Sequence, residues 1–522
     1  MGRTRCALLL VLALSALVLW FHYLAAYQVD DAYIVYRYAD NLAHGKGFVF
    51  NEGERVEGVT CFLWTLALVP FAALGLPLPI VGPILTALAG AAILLLLPGV
   101  SARLAGRAAV DGWDLATPFL LAAHPAFAYW SVGGLETVPY TLLLVLALRD
   151  LLREQERGRG RRSALWAGLA TLMRPEAPLL AAALGLGRAI GGPQRENRDR
   201  VRDALAWCGL VSGFFLPFLA FRRLYFGEWL PNTYYAKTGG ELLHTIMSGR
   251  DYTVRFLASL APGFGSEAPW ATAFGLLLLV LLLAVGLARP ALRPAALLIY
   301  AQGIAVFIEG GDWMFLHRFW VPTLPFLALL MVGAARDLAG VSRRLRPALL
   351  GLGCLLVASG ATAGVRQRDG ANGLAVNAEG YRSAHHAIAR YLKERGRPGD
   401  TVALMDVGII GYESGLRVLD ISGLTEPRVA KSPGGFLEKQ YPAEPILAEA
   451  PRFFVLVNGY RMDERIAHHP DFLKRYRLVM MKNHRFNWTP PQSYYLYLFE
   501  RRDANGGTAA SAAGDTIAPA PH

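Results

Sequence analysis

D-D-A-Y-I-V-Y-R-Y-A-D-N-L-A-H-G-K-G-F-V-F-N-E-G-E-R-V-E-G-V-T, residues 30–60, follows directly on the first long apolar run, Cys6 to Tyr27. Carboxylates at a membrane exit are expensive near lipid, so Asp30 and Asp31 must face water, a cavity or a partner. Ala32, Tyr36, Ala39 and Ala43 recur at helical spacing with Asp40, Asn41 and His44 among them, which predicts an amphipathic helix. Gly45 and Gly47 then break it into a polar turn ending at Glu57. An acidic pair fixed by a helix at a membrane exit has the character of an active site.

The rest of the chain supplies the membrane. Of 522 residues 54% are hydrophobic, and the mean hydropathy is +0.33. Repeated apolar runs near 20 residues exclude an ordinary soluble enzyme and imply a polytopic α-helical membrane protein. Expected spans are Cys6–Tyr27, Val81–Val100, Leu115–Tyr129, Leu135–Leu152, Ser163–Met173, Pro178–Ile190, Ala204–Leu224, Trp270–Ala288, Ala291–Ile308, Phe319–Asp337 and Pro347–Gly364, about eleven transmembrane helices. The first is read as retained rather than as a cleaved signal, because no small-x-small site precedes Gln28. Four cysteines, three of them in apolar runs, indicate neither a disulfide framework nor a metal cluster.

The formal charge of +12 is concentrated in short arginine-rich loops, Arg149 to Arg162, Arg188 to Arg202 and Arg336 to Arg346. That distribution fits the cytoplasmic side of a membrane protein and makes nucleic-acid binding the weaker explanation. Taking those loops as inside puts Asp30 outside, provided the apolar stretch Thr60 to Gly75 lies on the surface or re-enters instead of crossing. The same solution collects the other unusual polar motifs on the outer face: G-L-E-T at 134–137, M-R-P-E at 173–176, L-P-N-T-Y-Y-A-K at 230–237 and G-G-D-W-M-F-L-H-R-F at 310–319.

Each motif has a plain structural reading when taken alone. Arg174 and Glu176 suit an ion pair between helix ends, Glu136 a carboxylate at a helix N-terminus, and Trp130, Trp229 and Trp313 an interfacial belt. His317 beside Arg318 suits snorkelling to the interface. Their convergence on one face argues for chemistry. Arginine and lysine at the lipid boundary suit an anionic lipid phosphate. Asp30 and Asp31 suit a general base for an acceptor hydroxyl, or a divalent cation. Aromatic rings such as Trp313 suit sugar faces, with Asn232, Glu136 and Asp312 at the polar edges.

On these motifs the chain resembles the GT-C superfamily of polyprenyl-phosphate-sugar-dependent glycosyltransferases, and within it the branch of terminal arabinofuranosyltransferases. D-V-G-I-I-G-Y-E-S-G at 406–415 and L-D-I-S-G-L-T at 419–425 extend the resemblance into the distal part. It implies an inverting transfer of a hexosyl or pentosyl unit from a polyprenyl-phosphate donor to a cell-envelope glycan or lipid acceptor, on the outer face of a bacterial plasma membrane. Asp30, ahead of Asp31, would be the base; Arg318 with His317 and Lys237, or Arg174, would hold the donor phosphate. Glu57, Glu136 and Asp312 would orient sugar hydroxyls, with no cofactor required and a divalent cation at the acidic pair as an option.

After the last apolar run the expected organisation changes. Residues 1–365 form the membrane catalytic domain with an outer loop at 28–78, residues 366–504 an extracytoplasmic α/β domain, and residues 505–522 a disordered tail. Strands are expected at Thr401–Met405, Arg417–Ile421, Phe453–Val457, Arg477–Met481 and Tyr494–Phe499. Gly408 and Gly411 follow a strand without a G-x-G-x-x-G, so a dinucleotide site has no support. A lipid-linked-sugar transporter would show paired broken helices at mid-membrane, and a non-catalytic sugar-binding protein would have no need of the acidic pair.

Overall fold

The structure is a computed structural model that describes residues 11–12, 15–16, 19–20, 29–190, 197–238, 242–261, 269–369, 373–484 and 494–502. Most of the expected first span, Cys6–Tyr27, and the expected tail at 505–522 lie outside the described residues. The chain divides into two compact units. The first takes residues 1–45, 59–229 and 241–375; the second takes 46–58, 230–240 and 376–522.

The first unit is helical. Among the described residues, five helical stretches are long and apolar enough to cross a membrane: Leu78–Leu104, Asp199–Phe226, Pro269–Ala288, Phe315–Val341 and the stretch opening at Arg343. Phe62–Ala73 and Ala177–Ile190 are shorter apolar helices. This is a multi-pass membrane protein. Phe62–Ala73 falls where the surface-lying or re-entrant segment was expected; its 12 residues span about 18 Å, short of the ~30 Å hydrocarbon core.

The region expected to span from Leu115 to Tyr129 is two short helices, Ala116–Ala122 and Pro125–Trp130. The cause is local: Pro125 disfavours helical backbone at His124, which is extended at ψ 119°, and Pro125 then opens the next helix. Many of the loop arginines are also less free than their sequence implies. Arg336 and Arg107 close on Asp111 and Asp114, while Arg188 bonds Glu154 at 2.6 Å and Asp203 at 2.8 Å. These pairs tie helix ends together as well as carrying charge.

Among the described residues, the second unit is α/β around a five-stranded mixed sheet in the order β2-β1-β3-β5-β4. Its strands are β1 Thr401–Leu404, β2 Arg417–Asp420, β3 Phe453–Val457, β4 Tyr476–Asn483 and β5 Tyr495–Arg501. β1 pairs in parallel with β2 and β3, while β5 runs antiparallel to β3 and β4. β3, F-F-V-L-V, is buried throughout, as a central strand covered on both faces should be. Phe454, Phe472, Tyr476 and Phe499 pack in edge and stacked contacts against it.

Two excursions of the chain belong to this sheet unit. Asn51 exchanges two hydrogen bonds with the Val418 backbone, at 2.8 and 3.0 Å, and Glu54 accepts from Arg417 at 2.7 Å. Asn232 donates to the Gly423 and Leu424 carbonyls, and buried Lys439 donates to the Tyr235, Thr238 and Ser432 carbonyls.

Candidate active site

The site is assembled in the membrane unit around the helix Asp30–Ala43, which opens with the acidic pair. Carboxylates in a first turn lie at the positive end of the helix dipole, a favourable placement. Asp30 is 7% exposed and Asp31 half-buried. The helix packs on Phe62–Ala73, and both meet the turn before Glu136: Trp64 Nε1 donates to the Gly134 carbonyl at 3.1 Å. Gly134 has φ +76°, and a Cβ there would lie 2.2 Å from the Tyr36 hydroxyl. Only glycine fits that position, on grounds of both backbone and space.

Glu136 precedes the helix Thr137–Arg157 and accepts from Arg174 Nη1 at 2.7 Å, while Arg174 Nε donates to Glu176. The three side chains are at most 5% exposed. One guanidinium thus bridges two buried carboxylates through different nitrogens, a geometry open to arginine and closed to lysine. Arg174 lies 4.7 Å from the centre of the Phe319 ring, and Arg318 lies 5.2 Å from the same ring and 5.7 Å from Trp130. Arg318 pairs with Asp312 at 2.6 Å and lies within electrostatic reach of Glu136 and Asp31.

A strained turn sets Arg318. Leu316 and His317 both adopt left-handed backbone, φ 56° and 53°, at a typical cost of ~1–3 kcal/mol for each such residue. The turn is held by two bonds: Trp130 Nε1 donates to the Phe315 carbonyl at 3.2 Å, and the Phe319 N–H donates to the Tyr252 hydroxyl at 3.0 Å. His317 packs against the Tyr252 and Phe256 rings, with Arg255 and His124 as its electrostatic neighbours.

The structure therefore brings together Asp31, Glu136, Arg174, Asp312 and Arg318, with Asp30 beside Asp31. Trp313 follows Asp312 in the chain and is 38% exposed. Glu57, Asn232 and Lys237 lie in the second unit. There the Glu57 carbonyl accepts from the Asn232 N–H at 3.0 Å, and exposed Lys237 lies 5.6 Å from the Phe436 ring centre. Among the described residues, no three His, Cys, Asp or Glu side chains are grouped to hold a metal ion. Sequence reasoning did not single out Phe319, Tyr252 and Cys61; the buried Cys61 thiol lies within electrostatic reach of Glu136, Arg174 and Arg318. The pair of guanidiniums on one ring had a visible signal in R-F-W at 318–320, where an aromatic follows the arginine.

A crystal structure of ArnT from Cupriavidus metallidurans bound to undecaprenyl phosphate matches with a TM-score of 0.57 at 14% identity, over 97% of this chain and 100% of that one. The fold is GT-C. The apo form of the same protein matches with a TM-score of 0.54, over 95% of this chain and 98% of that one. In sequence, a terminal β-(1→2)-arabinofuranosyltransferase of Mycobacterium tuberculosis is 31% identical over 244 residues. The match takes in 44% of this chain and 37% of that relative, little more than a third of its length. A family model described as a domain of unknown function (DUF8728) matches residues 374–503, the continuous part of the sheet unit. At 14% identity the match shows the fold, not an activity.

Proposed function

We propose that the protein is an inverting glycosyltransferase that moves a sugar from a polyprenyl-phosphate donor to a hydroxyl of a glycan or lipid-glycan acceptor. The observation that carries the reading is the placement of Asp31 within electrostatic reach of Arg318, with Asp30 buried beside it. A base for the acceptor and a guanidinium for the leaving phosphate are the two groups the reaction needs. The GT-C fold, shared with an ArnT structure that holds undecaprenyl phosphate, and the partial similarity to an arabinofuranosyltransferase support it.

In this reaction an aspartate of the pair takes the acceptor proton as the oxygen attacks the anomeric carbon. The new C–O bond forms on the face opposite the phosphate, the bond from that carbon to the phosphate oxygen breaks, and polyprenyl phosphate leaves. Arg318, with Arg174, stabilises the charge gathering on it, a task suited to the guanidinium fork. Glu136, Glu176 and Asp312 hold the two guanidiniums in place. The arginine-rich loops, read as cytoplasmic, support an acceptor face outside the cytoplasm and an extracytoplasmic sheet unit.

The test is transfer of radiolabelled sugar from polyprenyl phosphate in membranes carrying Asp30→Asn or Asp31→Asn protein. Insertion is expected to be normal in both, and transfer to be lost in at least one. Full activity in both single variants would remove the base assignment. Donor movement across the bilayer without transfer would replace it with a transporter.

A further inference from the structure

The sheet unit contains a polar cluster that no part of the transfer reaction uses. Asp406 leaves the C-terminal end of β1, and Asn458, Gly459 and Tyr460 leave that of β3. These two parallel neighbours lead in opposite directions, β1 to β2 on one side and β3 to the β4–β5 pair on the other. Ligands of open α/β sheets bind in the crevice at such a reversal, outside the carboxyl ends of the strands. Here those strand ends carry a polar cluster. His385 Nε2 bonds Asp406 Oδ2 at 2.9 Å and the Tyr494 hydroxyl donates to the same oxygen at 2.8 Å. Behind His385, His484 Nδ1 lies 3.2 Å from its Nδ1, and His484 Nε2 lies 3.0 Å from Asn377 Oδ1.

Two further features mark this network as built for more than packing. His385 is delivered by a π-helical turn, Tyr381–His385, set between the helices Leu374–Gly380 and His386–Arg395. Such turns cost regular hydrogen bonding and concentrate at functional sites. The turn also requires Gly380, where a Cβ would lie 1.9 Å from the His484 carbonyl oxygen. Second, Asp463 is 1% exposed: Oδ1 accepts from the Val457 N–H at 2.8 Å, while Oδ2 is buried with no hydrogen bond among the described residues. Burial, then the nearby Asp406 carboxylate, pushes the Asp463 carboxyl up to about 8, so at neutral pH it carries a proton to donate.

The chemistry of this set selects its ligand. Asp406 is reachable, its side chain 20% exposed above a His385 that is 2% exposed. An anion would meet the Asp406 carboxylate. A metal ion would find the two imidazoles engaged with Asp406, with Asn377 and with each other. What remains is a carboxylate acceptor flanked by the phenols of Tyr460 and Tyr494, whose rings meet edge to face at 6.1 Å. Hydroxyl donors and acceptors beside an aromatic face describe a neutral sugar ring.

We propose that the crevice at the ends of β1 and β3 binds a neutral sugar residue of the acceptor glycan, with Asp406 accepting its hydroxyls and Tyr460 beside its face. The identity of that glycan as the acceptor rests on the transferase reading; the binding of a sugar here does not. The full-length protein in nanodiscs, without donor, is titrated with arabinotriose, galactotriose and mannotriose by saturation-transfer NMR. At least one is expected to bind, with Kd raised tenfold or more by Asp406→Asn and severalfold by Tyr494→Phe, both variants keeping the wild-type melting temperature within a few degrees. Asp30→Asn and Asp31→Asn should both leave this binding unchanged while at least one of them loses transfer, which separates the two assignments. If Asp406→Asn fails to fold, Tyr494→Phe and Tyr460→Ala carry the test. Absence of binding by all three at millimolar concentration, binding indifferent to these variants, or displacement by inorganic phosphate would overturn the site. Normal acceptor KM in Asp406→Asn protein that no longer binds the triose would overturn the acceptor role.

Discussion

Replacing Arg174 by methionine should expose the difference between holding the fold together and doing chemistry. The guanidinium spans Glu136 and Glu176, and none of the three is more than 5% exposed. Removing one partner of such a buried set leaves carboxylates uncompensated, at a typical cost of ~3–5 kcal/mol. Arg174→Lys retains the charge with one nitrogen in place of two, so it should forfeit one charged hydrogen bond, ~1.5–3 kcal/mol. Neutralising all three, Arg174→Met with Glu136→Gln and Glu176→Gln, removes the desolvated charges together and should recover most of the lost stability. The assay is a melting curve in detergent beside initial transfer rates for the three proteins. The triple variant is expected to be stable and still inactive, because no neutral side chain stabilises a leaving phosphate. A triple variant that regains transfer would refute a donor role for Arg174 and leave it a structural ion bridge.

General-base catalysis is worth ~10²–10⁴-fold, so Asp30→Asn or Asp31→Asn should lower the rate by that factor with little change in donor KM. Leu316→Gly should relieve a left-handed backbone, raising thermal stability by about 1 kcal/mol, yet slow transfer by loosening Arg318; an unchanged rate would separate the strain from the reaction. In the sheet unit, Asn232→Ala leaves the Gly423 and Leu424 carbonyls without their donor and should cost ~1–3 kcal/mol, read as increased proteolysis at 230–240. Asp463 adds a pH signature. Its folded pKa of about 8 stands above the unfolded value of ~3.9, so the folded state binds the extra proton between those values. Stability from this group is present below about pH 4 and is lost progressively as pH rises through 8; hydrogen exchange of β3 should accelerate over that window, and Asp463→Asn should flatten the change.

The helical and sheet elements were legible to different depths. The acidic pair could be read because a carboxylate beside an apolar run has few inexpensive explanations, and the strands because β-branched and aromatic residues cluster between turn signals. Phe453–Val457 is a strand over the same residues in sequence and structure. Partners distant in sequence were less legible. Nothing in N-E-G-E or P-N-T-Y announces a sheet partner, since Asn51 and Asn232 bind backbone atoms of Val418, Gly423 and Leu424 and backbone carries no sequence signature. The same holds for Glu136 and Arg174, 38 residues apart: their types suggested charge at the membrane, while only geometry joined them. The π-turn at Tyr381–His385 was hidden within a helical pattern, because its side chains keep a helical periodicity and only its backbone departs from it.

The discontinuity of the sheet unit also sets a timetable for synthesis. Glu54 meets Arg417 across 363 residues, so at about 5–20 residues per second the first excursion waits roughly 20–70 s for its partner to leave the ribosome. During that interval it is a polar segment without its sheet, held between the helices Asp30–Ala43 and Phe62–Ala73. Insertion of the helices and completion of the sheet are thus ordered by chain connectivity, and a premature stop before β2 would yield membrane-inserted protein with two exposed loops for quality control to recognise.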